Sequence, residues 1–247
     1  YLKNKKIKII EDCAQAFGAE IKGKKVGTIG DFSCYSFHAQ KNLTTLGEGG
    51  AIYVKDKSLF KKVKGLRHNG HSNFKKRKFY WLPAMGNLEL DLIDKLPFKA
   101  TLSEIQCASG HLLLKRIDQL NKKRISRARK FISHFKHNDV LSFNESFLKK
   151  RHVYHLLSAY VKPSKNFNRN TLIKELYDNY QIKCATQYYP LYKYSLFKKY
   201  GYGKGKCLNT EKFYNNMISF PFHVWMSEKN FDYMISSVKK ILDKYSV

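Results

Sequence analysis

The chain has 247 residues, 43% of them apolar, which is enough for a real core and excludes a disordered chain; no run approaches the roughly 20 apolar residues of a membrane-spanning helix. Lys+Arg total 47 against 19 Asp+Glu, a formal net charge of +28 that suits anionic partners. The lysines are scattered, however, and no zinc-finger spacing, RNP-like run or basic zipper occurs, which argues against specific nucleic-acid recognition.

In chain order, Lys6 to Ile10 reads as a short buried strand that runs into Glu11-Asp12, two carboxylates at a strand's C-terminal end. In α/β sheets that edge is where ligands bind. Ala14 to Ile21 fits a short helix or turn, and Gly23, Gly27 and Gly30 punctuate a loop or hairpin. Phe32 to Phe37 is a second strand, followed by the polar loop His38-Ala39-Gln40-Lys41-Asn42. Gly47-Glu48-Gly49-Gly50 leads into a third strand, Ala51 to Val54. Lys57 to Leu66 predicts a helix. Arg67 to Asp94 has no strong periodicity, but Trp81, Met85 and Leu88 suggest that it packs.

Ser103 to about Phe135 predicts a long helix, with Ile105, Ala108, Leu112, Leu113, Ile117 and Leu120 at helical spacing. Its basic second half, Lys122 to Lys136, reads as a solvated face. His152 to Val161 predicts a strand, Asn170 to Tyr180 a helix, Ala185 to Tyr192 an extended aromatic segment, and Thr210 to Met217 a short helix. The last helix starts near Ser227 and aligns Phe231, Met234, Ile235, Val238, Ile241 and Leu242 on one face. Cys13, Cys34, Cys107, Cys184 and Cys207 are odd in number and far apart, with no CxxC pair. This argues against a disulfide framework and a zinc site, and for reduced, buried thiols in a cytoplasmic protein.

Asp12, Gln15, Ser36, His38 and Lys41 all fall at or just beyond strand ends, which gathers an acid, an amide, a hydroxyl, an imidazole and an amine near one sheet edge. Pyridoxal-phosphate (PLP) chemistry needs such a set: a lysine to capture the cofactor aldehyde, a carboxylate for the ring nitrogen, and groups for the phenolic oxygen and phosphate.

The wording of three consecutive segments resembles one family. Ile9-Ile10-Glu11-Asp12-Cys13-Ala14-Gln15-Ala16-Phe17-Gly18-Ala19 is similar to the EDxAQxxGA segment of the DegT/DnrJ/EryC1/StrS sugar aminotransferases. Gly27 to Asn42, ending Ser36-Phe37-His38-Ala39-Gln40-Lys41-Asn42, resembles the family's GxxGDxxxxSFHxxKN, and Leu43 to Ala51 continues with its TxxGEGGA. Arg67-His68-Asn69-Gly70-His71, Leu102 to Gly110, Tyr188-Tyr189-Pro190-Leu191 and Ser219-Phe220-Pro221 agree more loosely.

The resemblance implies an α/β architecture, the PLP-dependent transferase fold type I seen in aspartate aminotransferase. It would comprise a partial large domain over residues 1–135 and a small α+β C-terminal domain over 136–247. Lys41 would hold PLP covalently and carry the proton of the reaction, and having Lys rather than His there favours transamination over sugar dehydration. Asp12 would pair with the ring nitrogen, Gln15 with the ring oxygen and Ser36 with the phosphate. His38 would position Lys41 or substrate. Tyr188 and Tyr189 would lie near the sugar.

The implied reaction moves an amino group from an amino acid, with L-glutamate the expected donor, to a nucleotide-linked keto sugar, in a homodimer. Two departures stand out. Lys99 stands about where many members place an Asn that reaches a phosphate of the neighbouring subunit. The family fold also begins well upstream of Tyr1, so the chain reads as a fragment lacking the first strands and expected to bind PLP weakly alone. A truncated, inactive paralogue is the second reading, and a basic nucleic-acid-binding protein the third.

Overall fold

A computed structural model describes residues 6–70, 96–144 and 150–245. The loop residues His71, Trp81, Met85 and Leu88 lie outside them. The chain divides into two compact units: one takes the residues up to Asn121 together with the stretch ending at Val153, and the other takes the remainder. The sequence-level division, after residue 135, falls at the end of a helix; the compact units part inside that helix, between Asn121 and Lys122.

Among the described residues the first unit holds eight elements, counting the start of one helix. β1 (Ile10–Asp12), β2 (Glu20–Ile21), β3 (Lys24–Lys25), β4 (Phe32–Ser36) and β5 (Gly50–Val54) are followed by α1 (Lys57–Arg67) and the start of α2 (Glu104–Phe135). After β6 (Leu141–Ser142) of the second unit, β7 (Lys150–Arg151) returns to pair with β2. One sheet has the order β1-β4-β5, with β1 parallel to β4 and β5 antiparallel to it. A second has the order β3-β2-β7.

β1 begins later than the apolar run Ile7 to Ile10 suggests. Its register is set by β4, whose first residue Phe32 lies opposite Ile10, while Asp31 ties back to Ile9 through its amide and its carboxylate. The sheet is thinly covered: Ile10 is 67% and Ile52 54% exposed. The apolar stripe of α2 is likewise used only in part. Ile117 and Leu120 are buried, but Ile105 and Leu112 remain exposed.

The second unit has its own core. The rest of α2 packs with β6, β8 (Leu157–Val161), α3 (Arg169–Tyr180), β9 (Met217–Phe220) and α6 (Glu228–Tyr245), while the short α4 (Ser195–Lys199) and α5 (Leu208–Asn216) add no buried residue. The sheet order is β6-β8-β9, antiparallel throughout. The apolar face of α6 expected from its spacing is buried from Phe231 to Leu242, against Phe131, Leu172, Leu176 and Ile218 among others.

The strand expected from His152 is shorter, Leu157–Val161. Tyr154 takes φ +46, which no strand residue adopts, and the carbonyls of Tyr154 and His155 are bonded by Arg124 rather than by a neighbouring strand. This also corrects the reading of the basic half of α2 as a solvated face. Arg124 and Arg127 are buried, and Arg127 donates to the carbonyls of His223, Val224 and Met226 and to Glu228. Burial pushes the Arg124 guanidinium down to about 10. Of the five thiols only Cys13 is buried and Cys184 half-buried; Cys34, Cys107 and Cys207 are exposed, so burial does not explain those three.

Candidate active site

Because β1 and β4 are parallel neighbours, their C-terminal ends lie side by side, with Asp12 opposite Cys34 two residues before Ser36. Asp12 therefore leaves the sheet at the same edge as the chain that continues from Ser36 into the His38–Asn42 loop. One Asp12 oxygen accepts from the Ala14 amide at 3.0 Å, which turns the chain sharply after the strand. Gln15 follows in that turn and is exposed.

The edge is braced by Glu11. Its carboxylate accepts the amides of Gly27, Ile29 and Gly30 at 2.8, 2.7 and 2.7 Å. Partial burial works to raise the Glu11 carboxyl, but the three backbone N–H groups outweigh it and hold the group below its ordinary value. Gly27 itself takes φ +92, and a Cβ there would meet the Tyr35 hydroxyl at 1.8 Å, so only glycine fits between β4 and the brace.

The loop carrying Lys41 is closed on itself. Phe37 N–H donates to the Gly49 carbonyl, Ala39 N–H to Gly47, and Thr45 N–H to Phe37. The buried Thr45 hydroxyl donates to the Glu48 carbonyl at 3.1 Å. Gly49 lies so close that a Cβ would stand 2.2 Å from Thr45 Oγ1 and 3.0 Å from Leu102 Cδ2. From α2, Gln106 Nε2 donates to the same Glu48 carbonyl at 2.8 Å.

Within the loop, the Lys41 amide donates to the His38 carbonyl at 2.9 Å, making one tight turn, and the Lys41 side chain is half-buried. The Ser36 hydroxyl accepts the His38 amide at 3.3 Å. His38 Nδ1 accepts the Gln40 amide at 3.1 Å, so the neutral ring carries its proton on Nε2, which points to Glu48 Oε1 at 3.6 Å.

The structure thus brings Asp12, Ser36, His38 and Lys41 to one end of one sheet, with Gln15 in the turn beside Asp12. Lys99 lies in the same unit but on a different feature: it forms a single antiparallel bridge with His68, just past α1, and its side chain is exposed. Tyr188 and Tyr189 belong to the second unit. Tyr188 is 62% exposed, and Tyr189 packs edge-on against Tyr194 and Tyr214. Sequence reasoning missed Gln106 and the bracing function of Glu11. The Ser103-x-x-Gln106 spacing was the available signal for the first, and the loop glycines 27 and 30 for the second.

The model of the DegT/DnrJ/EryC1/StrS aminotransferase family matches residues 1–239. The chain belongs to that family. Among curated DegT/DnrJ/EryC1/StrS relatives, a UDP-4-amino-4,6-dideoxy-N-acetyl-beta-L-altrosamine transaminase of Campylobacter jejuni is 32% identical over 254 residues, covering 98% of this chain and 60% of the relative. Among solved structures, Helicobacter pylori PseC, described as an aminotransferase of pseudaminic acid biosynthesis, superposes with a TM-score of 0.81 at 27% identity, over 96% of this chain and 60% of that one. The Streptococcus pneumoniae putative sugar aminotransferase Spr1654 in its PLP form gives a TM-score of 0.77 at 25% identity, over 98% and 59% of the two chains; a PMP form is also known.

The fold is therefore the type I PLP-transferase fold of these neighbours, and the chain spans about 60% of the length of the relatives it matches. No helix among the described residues is long and apolar enough to cross a membrane.

Proposed function

We propose that this chain carries the lysine-bearing part of a PLP-dependent aminotransferase that transfers an amino group from an amino acid, L-glutamate in the first instance, to a nucleotide-linked keto sugar. The observation that supports it best is the shared strand end. A carboxylate, a hydroxyl and an amine leave adjacent parallel strands on the same edge, and the amine sits on a loop pinned at Thr45, Gly47 and Gly49.

These groups fit PLP by chemistry. Asp12 has one oxygen engaged by Ala14 and a second with no hydrogen-bond partner among the described residues, available for a protonated ring nitrogen. Gln15, exposed beside it, can donate to the ring oxygen, and the Ser36 hydroxyl can donate to a phosphate oxygen while it accepts from His38. When bound, PLP supplies an aldehyde that captures amines and a ring that withdraws electrons. Lys41 Nζ would hold the cofactor and then move the proton to and from the substrate carbon. His38 keeps the loop's shape around Lys41 through Nδ1 and Nε2. Lys99 would meet a phosphate as a point charge. Tyr188 and Tyr189 would receive the sugar. We place the enzyme in the cytoplasm as a homodimer, in keeping with its unpaired thiols and with the family.

Borohydride trapping with PLP, followed by peptide mapping, tests the reading. Label is expected on the peptide containing Lys41 and none after Lys41→Ala; label on another peptide, or none in protein carrying the whole family fold, overturns it. L-glutamate is expected to convert the bound cofactor to its amine form.

A further inference from the structure

The turn that carries Gln15 and the loop that carries Lys41 are each shaped by local bonds. In the turn, the Ala16 amide donates to the Cys13 carbonyl and the Ala19 amide to the Ala16 carbonyl, which carries the chain from Gln15 through Gly18 into β2. Gly18 takes φ +83, a conformation that suits glycine. Such bonds fix the shape of each piece. They do not fix where one piece stands relative to the other.

Both pieces are fastened to the same short segment, 150–153, which returns to the first unit from the second. β7 lays this segment beside β2, with Arg151 opposite Glu20. Arg151 Nη1 donates to the Gly18 carbonyl at 3.1 Å and to Asp118 Oδ1 at 2.9 Å, with Glu20 Oε1 3.5 Å away. Two residues on, the carbonyl of buried Val153 accepts from Asn42 Nδ2 at 3.3 Å. Asn42 follows Lys41 directly, so this bond ties down the backbone beside the amine from 111 positions away in sequence. Phe17 also packs edge-on to Phe37, with 5.9 Å between ring centroids, but apolar contact carries no direction. The hydrogen bonds of Asn42 and Arg151 do. Both go to backbone carbonyls, and so set where the chain runs rather than what it reacts with.

We propose that segment 150–153 is a strut for the cofactor site, and that Asn42 and Arg151 are positioning residues. Asn42 acts through the Lys41 loop and Arg151 through the Gln15 turn. A site that grips a rigid planar cofactor from two sides works only when its groups are placed to within about 0.5 Å, which is the service a shared strut performs. The cofactor rests on the PLP reading above; the two bonds to the strut do not.

The test compares two reactions of one amine in the full 247-residue chain. PLP with borohydride labels Lys41 according to how well the site seats the cofactor. Formaldehyde with cyanoborohydride methylates the same amine without needing a site. Both labels are read by peptide mapping against the exposed Lys61 of α1. Asn42→Leu keeps the bulk and removes the donor to Val153, and Arg151→Met removes the donor to Gly18. Each should lower PLP labelling of Lys41 roughly five- to tenfold, the loss of one hydrogen bond, while methylation of Lys41 does not fall. Circular dichroism in the visible band, per bound PLP, should shrink in both variants. Arg151→Met also gives up the contacts to Asp118 and Glu20; should it fail to fold, Asn42→Leu decides. Unchanged PLP labelling in Asn42→Leu overturns the proposal. So does an equal loss of both labels, which would make Asn42 a matter of access to the amine and not of its placement. If wild-type Lys41 takes no more PLP than Lys61, the cofactor reading fails for the chain on its own, and amide exchange judges the strut. The Lys41 and Ala39 amides should then exchange about tenfold faster in Asn42→Leu, and an unchanged rate overturns the strut as well.

Discussion

Glu11 and Asp12 are adjacent in sequence and alike in chemistry, but the pleat sends them to different work. Glu11 is spent on three backbone amides of the 27–30 loop, and Asp12 caps one amide and keeps an oxygen open. Glu11→Gln replaces one accepting oxygen by a donor facing N–H groups. We expect a loss of about 1 kcal/mol, at the low end for a charged acceptor because solvent reaches the site. The sign with pH follows from the lowered carboxyl. The Glu11 contribution is complete above about pH 4.5 and is lost as pH falls through the folded value, so wild type and Glu11→Gln should converge in urea titrations below that pH. Arg127 is the counterpart in the second unit, a 4% exposed guanidinium serving three carbonyls and Glu228. Arg127→Met keeps the packing but strips those carbonyls of donors, and should cost about 2–4 kcal/mol in the same assay.

Among elements, the join between α2 and the lysine loop can be dissected by one atom. Ser103 and Gln106 cap the helix reciprocally: Gln106 Oε1 accepts from the Ser103 amide at 2.9 Å and Ser103 Oγ from the Gln106 amide at 3.3 Å. Gln106 Nε2 meanwhile holds the Glu48 carbonyl. Gln106→Glu keeps the cap and removes only the second bond. Melting temperature should hold within a degree or two, while the rate at which bound PLP dissociates rises roughly fivefold, about 1 kcal/mol.

Elements with strong local periodicity were legible in the sequence. α6 buries its expected stripe, and α3, β4 and β5 fall within a residue or two of their expected limits. What local patterns could not carry was anything set by a distant partner. The start of β1 depends on where Phe32 lies, the strand after His152 is cut by Arg124 binding the carbonyls ahead of it, and the Gln106 bond to Glu48 joins residues 58 positions apart. The gathering of Asp12, Ser36 and Lys41 was readable because all three follow strands, whereas the brace beneath them was not.

At the scale of the whole chain, the two units are unequally furnished. The second has a continuous core around Phe131, Phe231, Leu172 and Val238, while among the described residues the buried apolar side chains of the first are Cys13, Leu43, Val54, Ile117, Leu120 and Val153. Hydrogen exchange should therefore protect the amides of β8, β9 and α6 far longer than those of β1 and β5, and uniform protection would contradict this partition. The charge of +28 predicts salt-sensitive adhesion to any polyanion with no preference among DNA sequences.

Among the described residues β1 ends its sheet and pairs with β4 alone, so the other side of its backbone has no strand partner there. Such a rim can template another strand, which makes it the point where copies of the chain would stick together. Lys6 and Lys8, set among Ile7 and Ile9 just ahead of β1, with Lys8 bonded to Asp31, act there as a colloidal brake whose strength is set by the surrounding electrolyte. Turbidity at rising sodium chloride should reveal the brake releasing, and replacing Lys6 and Lys8 with glutamine should bring clouding on at lower salt.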